Sequence, residues 1–336
     1  MTQAYVITPG GGADKLSLVD RPAGDPGRRQ VLVRMRAMSL NFRDLLIANG
    51  AYPGGSPEPI VPMSDGAGEV IAVGPGCSRF KVGDRVAGIF MQSWIGGEMI
   101  QNDLHTALGG AIDGVLVRER LFDEDGLVSI PDHLTYEDAA TLPCAAVTAW
   151  NAFYGMQSLQ PGQSVLILGT GGVSIFALQF AHAAGARVII TSSSDEKLAR
   201  ARALGASDTI NYRTTPDWGA EARRLTDGIG VDMVVETGGP GTLGMSIGAT
   251  KRCGSVQLIG VLAMGQIDPL AILTGGVIVR GIMVGSREMF EAMNRAIAVN
   301  KIKPIIDRVF DFSEAADAYR YLQSAAHVGK VVIRAD

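Results

Sequence analysis

Residues 164–185, SVLILGTGGVSIFALQFAHAAG, run from an apolar strand pattern through a glycine cluster straight into a helix pattern. A chain with this junction is committed to a strand, turn and helix unit whose turn admits a pyrophosphate. Gly169 permits the tight turn, and Gly171 and Gly172 let the backbone approach phosphate oxygens. Thr170 and Val173 complete the turn, and the helix start offers free N–H groups and a favourable dipole. Ser174 stands where a third glycine is usual, small enough for close helix and strand packing. The competing reading is an ordinary strand-to-helix turn.

Short apolar runs then alternate with amphipathic ones, the pattern of βαβ units in a parallel sheet. Strands are expected at 164–168, 187–191, 208–211, 231–236, 255–260 and 277–284. Helices are expected at 173–184, 195–204, 218–226 and 243–250. Six strands with crossovers make one doubly wound dinucleotide-binding domain. The first part of the chain reads as mostly β, with TQAYVI, LSLVD, QVLVRMRAM, GAGEVIAVG and DRVAGIF between Gly, Pro and Asp clusters. A helix at 287–300, a strand DRVFDF, a helix opened by Ser313 and a strand KVVIRA close the chain. The expected α/β organisation is a first domain at 1–128, completed by 288–336, around a nucleotide-binding domain at 129–287.

The 30 basic and 34 acidic residues give a formal charge of −4, so neither nucleic acid nor an anionic membrane is expected as partner. The amino-terminal stretch MTQAYVITPGGG lacks the basic and apolar regions of an export signal, and no apolar run reaches spanning length. Cys77, Cys144 and Cys253 share no paired spacing, which excludes a disulfide scaffold and a CxxC metal knuckle. A soluble, cytoplasmic protein acting on a small molecule is expected. His105, His133, His182 and His327 are scattered, and none shares metal spacing with another His or Cys.

About twenty residues past the glycine turn, an NAD-preferring site carries an acid at the end of the second strand. This chain has Thr191, Ser192 and Ser193 there, followed by Lys197, with Tyr212 after the third strand. Hydroxyls and an ammonium suit an additional phosphate, so NADPH is the expected cofactor. The alternative is that Ser193 caps the next helix in a box with Glu196 and that Lys197 is merely solvated. Carboxyl ends of parallel strands face the ligand crevice, which places Thr237 and Gly238, and Ile259 to Val261, on the nicotinamide side.

The segments SLNFRDLLIANGAYPG, DGAGEVIAVG, FKVGDRVAG, TLPCAAVTAW, GTGGVSIFALQFAHAAGA and HVGKVVI, in this order, resemble the medium-chain dehydrogenase/reductase superfamily over essentially the whole chain. The resemblance implies a GroES-like catalytic domain, a Rossmann domain and a substrate cleft between them. Alcohol dehydrogenases of the superfamily bind catalytic zinc at positions that here hold Asn41, Ser64 and Cys144. One thiol remains where about three protein ligands are needed, and the cysteines of the structural zinc lobe are absent. The chain thus looks like the zinc-independent branch, similar to quinone oxidoreductases and to enoyl reductase domains of polyketide synthases. GTGGVS in place of their AAGGVG is a departure that leaves the substrate class open.

The resemblance makes Tyr52 of the AYPG segment a candidate proton donor or orienter, against a tyrosine packed beside Pro53. Asn41 donates and accepts at once, which suits orienting a nicotinamide ribose or a substrate carbonyl, or simply a local turn. Arg43 and Asp44 are expected to be structural, and Cys144 to be a buried small residue or a reactive thiol. Thr148 matches a threonine near the nicotinamide, Gly285 and Ser286 end the sixth strand, and Lys330 is expected to reach a cofactor phosphate. Met91, Trp94, Ile95 and Met99 wall a pocket or fill core. The expected function is transfer of hydride from NADPH to an activated C=C bond or quinone without metal. A zinc-free alcohol dehydrogenase and a non-catalytic NADPH-binding protein are the alternatives. The apolar sixth strand, VIVRGIMV, would continue its sheet across a homodimer boundary.

Overall fold

The computed structural model describes residues 1–52, 55–262 and 264–335; Pro53 and Gly54 of the AYPG segment lie outside the described residues, as do Ala263 and Asp336. The chain divides into two compact units, Met1–Val147 with Val284–Asp336, and Thr148–Met283.

The first unit begins with a two-stranded ribbon, β1 (Thr2–Val6) and β2 (Ser17–Arg21). The long β3 (Gln30–Leu40) follows, then helix α1 (Phe42–Ala48), β4 (Asp65–Val73), β5 (Arg85–Gly88), the short α2 (Gln101–Leu104), β6 (Glu119–Asp123) and β7 (Leu127–Ser129). Helix α3 (Tyr136–Ala140) and a π-helical turn (Leu142–Ala146) lead into α4 (Val147–Tyr154).

The second unit is built from β8 (Ser164–Ile167), α5 (Gly172–Ala183), β9 (Arg187–Ser192), α6 (Asp195–Ala203), β10 (Asp208–Asn211), α7 (Trp218–Leu225), β11 (Val231–Glu236), α8 (Pro240–Ala249), β12 (Thr250–Leu258), α9 (Pro269–Gly275) and β13 (Ile278–Gly281). The chain then returns to the first unit with α10 (Arg287–Asn300), β14 (Ile306–Asp311), α11 (Ala315–Gln323) and β15 (Lys330–Arg334).

In the first unit the main sheet runs β14-β15-β3-β4-β5-β7, with β6 paired to β3. Alternate residues of β3, Val31, Val33 and Met35, are buried, as period-two patterning requires of a strand with one face on the core. The expected boundary at 128 moves to 147 because β7 pairs with β5 and the π-helical turn donates the Cys144 N–H to Asp65 at 3.0 Å. At the other end the sixth strand of the nucleotide-binding unit stops at Gly281 rather than Val284. Val284 has a φ of 39°, which breaks the extended run.

In the second unit the sheet order is β10-β9-β8-β11-β12-β13, with every pairing parallel. Its central strands β8, β9 and β11 are buried on both faces, hence their apolar runs. The order reverses between β8 and β11, and that switch point is where a ligand crevice forms in such sheets. Helix α9 had no counterpart among the sequence expectations. None of its residues is buried, and its ends are set by Asp268, which accepts from Leu270 N at 2.9 Å, and by left-handed Gly276.

Candidate functional site

In the second unit the glycine turn joins β8 to α5 at the switch point. Gly169 has a φ of 71°, a conformation other residues adopt at a cost. A Cβ built on Gly171, the residue before α5, meets nothing within 4 Å, so the helix start is open to a ligand. The Leu168 carbonyl accepts from Ser174 Oγ and from Thr237 Oγ1, each at 2.6 Å. Gly169 N–H donates to Thr191 Oγ1 at 3.3 Å. Ser174 thus does more than fit where a glycine is usual: its hydroxyl ties the turn to the strand end, next to the loop after β11.

That loop is held by a residue the sequence reading did not single out. Glu236 is fully buried, and its Oε1 accepts from the N–H groups of Gly238 and Gly239 at 2.7 and 3.0 Å and from Thr242 Oγ1 at 2.7 Å. Its Oε2 accepts from Ser246 Oγ. The Glu236 carbonyl takes the N–H groups of Ile259 and Gly260, each at 2.9 Å, so Thr237, Gly238 and Ile259 come together at adjacent strand ends. Val261 beside them is exposed.

At the end of β9, Ser192 pairs in register with Asn211, and Tyr212 N–H donates to the Ser192 carbonyl at 3.0 Å. Ser192, Ser193 and Tyr212 therefore share one corner of the sheet. Ser193 is not the helix cap: Ser194 is, its Oγ accepting from Lys197 N–H at 3.4 Å. Three serines in a row fit a cap equally by sequence, and the chain turns one residue later. Asp195 nearby accepts from Asn211 Nδ2 at 2.7 Å. Thr148, at the start of this unit, is buried.

In the first unit a buried charge cluster forms where β3, β4 and β15 meet. Register pairs Leu40 with Val331 and Ser39 with Asp65, which brings Lys330 beside Asn41. Lys330 is 3% exposed; its Nζ donates to the Leu40 carbonyl at 2.7 Å and to Asn41 Oδ1 at 2.5 Å, and stands 4.0 Å from Asp65 Oδ2. The expectation that Lys330 reaches a phosphate is corrected by these bonds, which turn its ammonium into the first unit.

Asn41 caps α1, its N–H donating to Asp44 Oδ2 at 2.7 Å. Asp65 accepts from Ser64 Oγ at 2.6 Å as well as from Cys144 N–H. Burial pushes the Asp65 carboxyl up, with Lys330 pulling it back, and pushes Asp44 up to about 6 against the pull of Arg43. The Arg43 guanidinium lies over the rings of Tyr52 and Phe90, 4.8 and 4.6 Å from their centroids.

Two further expectations change in this unit. Ser286 caps α10, accepting from Met289 N–H at 3.2 Å, and a Cβ on Gly285 would sit 2.4 Å from Val147 Cγ1. Both lie past β13 and pack in the first unit. Met91 and Trp94 are core, clustered with Phe90, Ala107 and Val284.

Of the three positions that the resemblance gives to catalytic zinc, Asn41 presents its Oδ1 to an ammonium, Ser64 is bonded to Asp65, and Cys144 is a thiol pushed up to about 12 by burial and Asp65. Among the described residues no cluster of three His, Cys, Asp or Glu side chains is placed to hold a metal. No helix among them is long and apolar enough to cross a membrane.

The two units thus define a dinucleotide-type parallel sheet inserted in a chain whose first unit is a mostly β catalytic-type domain. The family model for alcohol dehydrogenase GroES-like domains matches residues 27–132, and that for zinc-binding dehydrogenases matches residues 172–299. A zinc-type alcohol dehydrogenase-like protein of Schizosaccharomyces pombe is 45% identical over 93% of this chain and 92% of its own length. The crystal structure of a putative alcohol dehydrogenase from Sinorhizobium meliloti aligns with a TM-score of 0.92 and 37% identity, covering 100% of this chain and 99% of that one. A quinone oxidoreductase from Pseudomonas syringae aligns with a TM-score of 0.84 and 29% identity over 100% of both chains. The chain belongs to the medium-chain dehydrogenase/reductase superfamily of oxidoreductases.

Two predictions follow from the charge cluster. Lys330→Met leaves Asp65 buried without its cation and is expected to cost about 3–5 kcal/mol in urea unfolding. Adding Asp65→Asn should return part of that loss; equal stability of wild type and Lys330→Met would contradict the pairing. Asp44, raised in the folded state, binds its proton there before it does in the unfolded chain. Its contribution to stability therefore grows as pH falls from about 6 towards the unfolded carboxyl value near 4. Relative to Asp44→Asn, the wild type should gain stability across that window, and a difference independent of pH would show that Asp44 is not raised.

Proposed function

We propose that the chain is an NADPH-dependent, zinc-independent reductase that delivers hydride to an activated C=C bond or a quinone. The observation that carries the reading is the Lys330 ammonium on Asn41 Oδ1, at the position where zinc-dependent relatives place a metal ligand. A fixed cation there removes the Lewis-acid route and leaves hydrogen-bond donors to stabilise charge on a substrate oxygen.

The residues of the second unit fit a nicotinamide dinucleotide. The open space at Gly171 admits the pyrophosphate against the start of α5, and the Ser174, Thr237 and Leu168 bonds keep that turn in shape. Glu236 fixes the loop of Thr237 and Gly238 beside it. Bound NADPH would supply the hydride. Ser192 and Ser193 at the end of β9, Lys197 in α6 and Tyr212 after β10 provide hydroxyls and a cation for its additional phosphate, with no carboxylate at 191–193 to repel it. On the substrate side, Tyr52 is the candidate proton donor or orienter. Asn41 serves as a positioned amide held by Lys330 and the α1 cap. Cys77, Cys144 and Cys253 form no disulfide, which suits a reducing, cytoplasmic setting.

Turnover of an enone or quinone with NADPH by chelator-treated protein is expected, and activity confined to an alcohol or aldehyde would favour the alcohol dehydrogenase reading. NADPH should bind more tightly than NADH in fluorescence titration, and Ser193→Asp should weaken NADPH binding about tenfold or more by placing an acid against the phosphate. Tighter binding of NADH by the wild type would overturn the cofactor assignment.

We also propose a homodimer through β13. This strand has one neighbour, β12, and lies beside exposed apolar side chains, Leu262, Met264, Leu270, Leu273 and Ile278 among them. An unpaired edge next to such a patch is a pairing surface. Light scattering should give twice the chain mass, and Ile278→Lys should give the monomer; a monomeric wild type at micromolar concentration would contradict the interface.

A further inference from the structure

The corner of the second unit formed by the ends of β9 and β10 has an acid beside its hydroxyls. Asp195 is the first residue of α6, three positions after Ser192, and it is exposed. Two local demands conflict at this place. The first turn of a helix favours carboxylates, because its N–H groups carry partial positive charge, and Asp195 and Glu196 both stand in that turn. A phosphate bound at the same corner disfavours them, because repulsion between like charges rises as they approach.

Asn211 meets the acid that stands nearest in sequence. It ends β10 in register with Ser192, and its Nδ2 donates to Asp195 Oδ1 at 2.7 Å. The other end of the amide is occupied: Oδ1 accepts from Arg213 N–H at 3.0 Å, which turns Nδ2 to Asp195. The Asn211 backbone is anchored as well, its carbonyl accepting from Thr215 N–H at 2.8 Å and from Thr214 Oγ1 at 3.2 Å. An amide fixed in this way ties the Asp195 carboxylate to the end of β10. Without that tie the side chain is free to sample its other rotamers.

We infer that Asn211 discriminates between nicotinamide cofactors by holding Asp195 at the end of β10, which keeps that carboxylate off the additional phosphate of NADPH, a role that rests on the NADPH reading. Asn211 acts through Asp195 and is a positioning residue rather than a ligand of the nucleotide. A released Asp195 ranges over the corner, where it repels a phosphate and accepts hydrogen bonds from ribose hydroxyls. NADPH brings the phosphate to that ribose, and NADH brings the hydroxyls. The loss on release therefore falls on NADPH, and the preference narrows or reverses. The helix keeps an acid in its first turn, and the nucleotide corner is spared its charge.

The test is fluorescence titration of the full-length protein with NADPH and with NADH, read as the ratio of the two dissociation constants. Asn211→Ala is expected to weaken NADPH binding about tenfold and to leave NADH binding unchanged or tighter. Adding Asp195→Asn should return NADPH binding to within about twofold of wild type, because the charge that needed restraint is gone. Asp195→Asn alone keeps an oxygen for Asn211 and should change NADPH binding by less than about twofold, which reads the site even if Asn211→Ala does not fold. Tenfold tighter NADPH binding in Asp195→Asn overturns the inference, since the held carboxylate would then already oppose the phosphate. An equal loss for both nucleotides in Asn211→Ala overturns it too, as does a loss that Asp195→Asn does not repair. A wild type that prefers NADPH by a ratio that Asn211→Ala leaves unchanged keeps the NADPH reading and sinks the restraint. A wild type that prefers NADH, with a ratio that Asn211→Ala shifts further through Asp195, supports the restraint while the NADPH reading fails.

Discussion

The Lys330 ammonium, bonded to the Leu40 carbonyl and Asn41 Oδ1 and facing Asp65, organises the chemistry of the first unit. It closes β15 against β3, fixes the side-chain amide of Asn41 at the start of α1 and balances one of two buried carboxylates. Because α1 starts there, Arg43 emerges in its first turn, over the rings of Tyr52 and Phe90. Removing a partner from such a cluster leaves a buried charge uncompensated, so its members stand or fall together. The same ammonium occupies the amide oxygen at the position that the resemblance gives to a zinc ligand.

The second unit depends on a comparable economy of polar groups. The Leu168 carbonyl, at the point where sheet order reverses, is satisfied by two hydroxyls rather than by strand pairing. That arrangement keeps the turn open at Gly171 while the strand ends stay tied. Glu236 does the same for the next loop, collecting four donors from residues 238–246 on one buried carboxylate.

Much of this was legible in the sequence where the physics is local. The strand at 231–236 lies where its apolar run places it, because a parallel strand buried on both faces writes itself as a mostly apolar run. The glycine turn was legible because strand, glycines and helix occur in one stretch. What escaped depends on distant partners or on a choice between equals. Lys330 is 289 positions from Asn41, and only the β3 and β15 register reveals that it faces inward. Glu236 reads as an acid ending a strand until the loop folds back over it. Helix α9 has no buried face and so leaves no periodic signal. Ser193 and Ser194 offer the same hydroxyl one residue apart, and the backbone decides between them.

Whether the first unit takes up a metal beside its own Lys330 cation decides the zinc-independent reading most directly. Calorimetric titration of zinc into chelator-treated protein, with metal content determined before and after dialysis, measures this. The prediction is no stoichiometric, tightly held zinc, with the Cys144 thiol still protonated in its buried setting. One zinc retained per chain after dialysis, with Cys144 bound as thiolate and Lys330 displaced from Asn41, would contradict it.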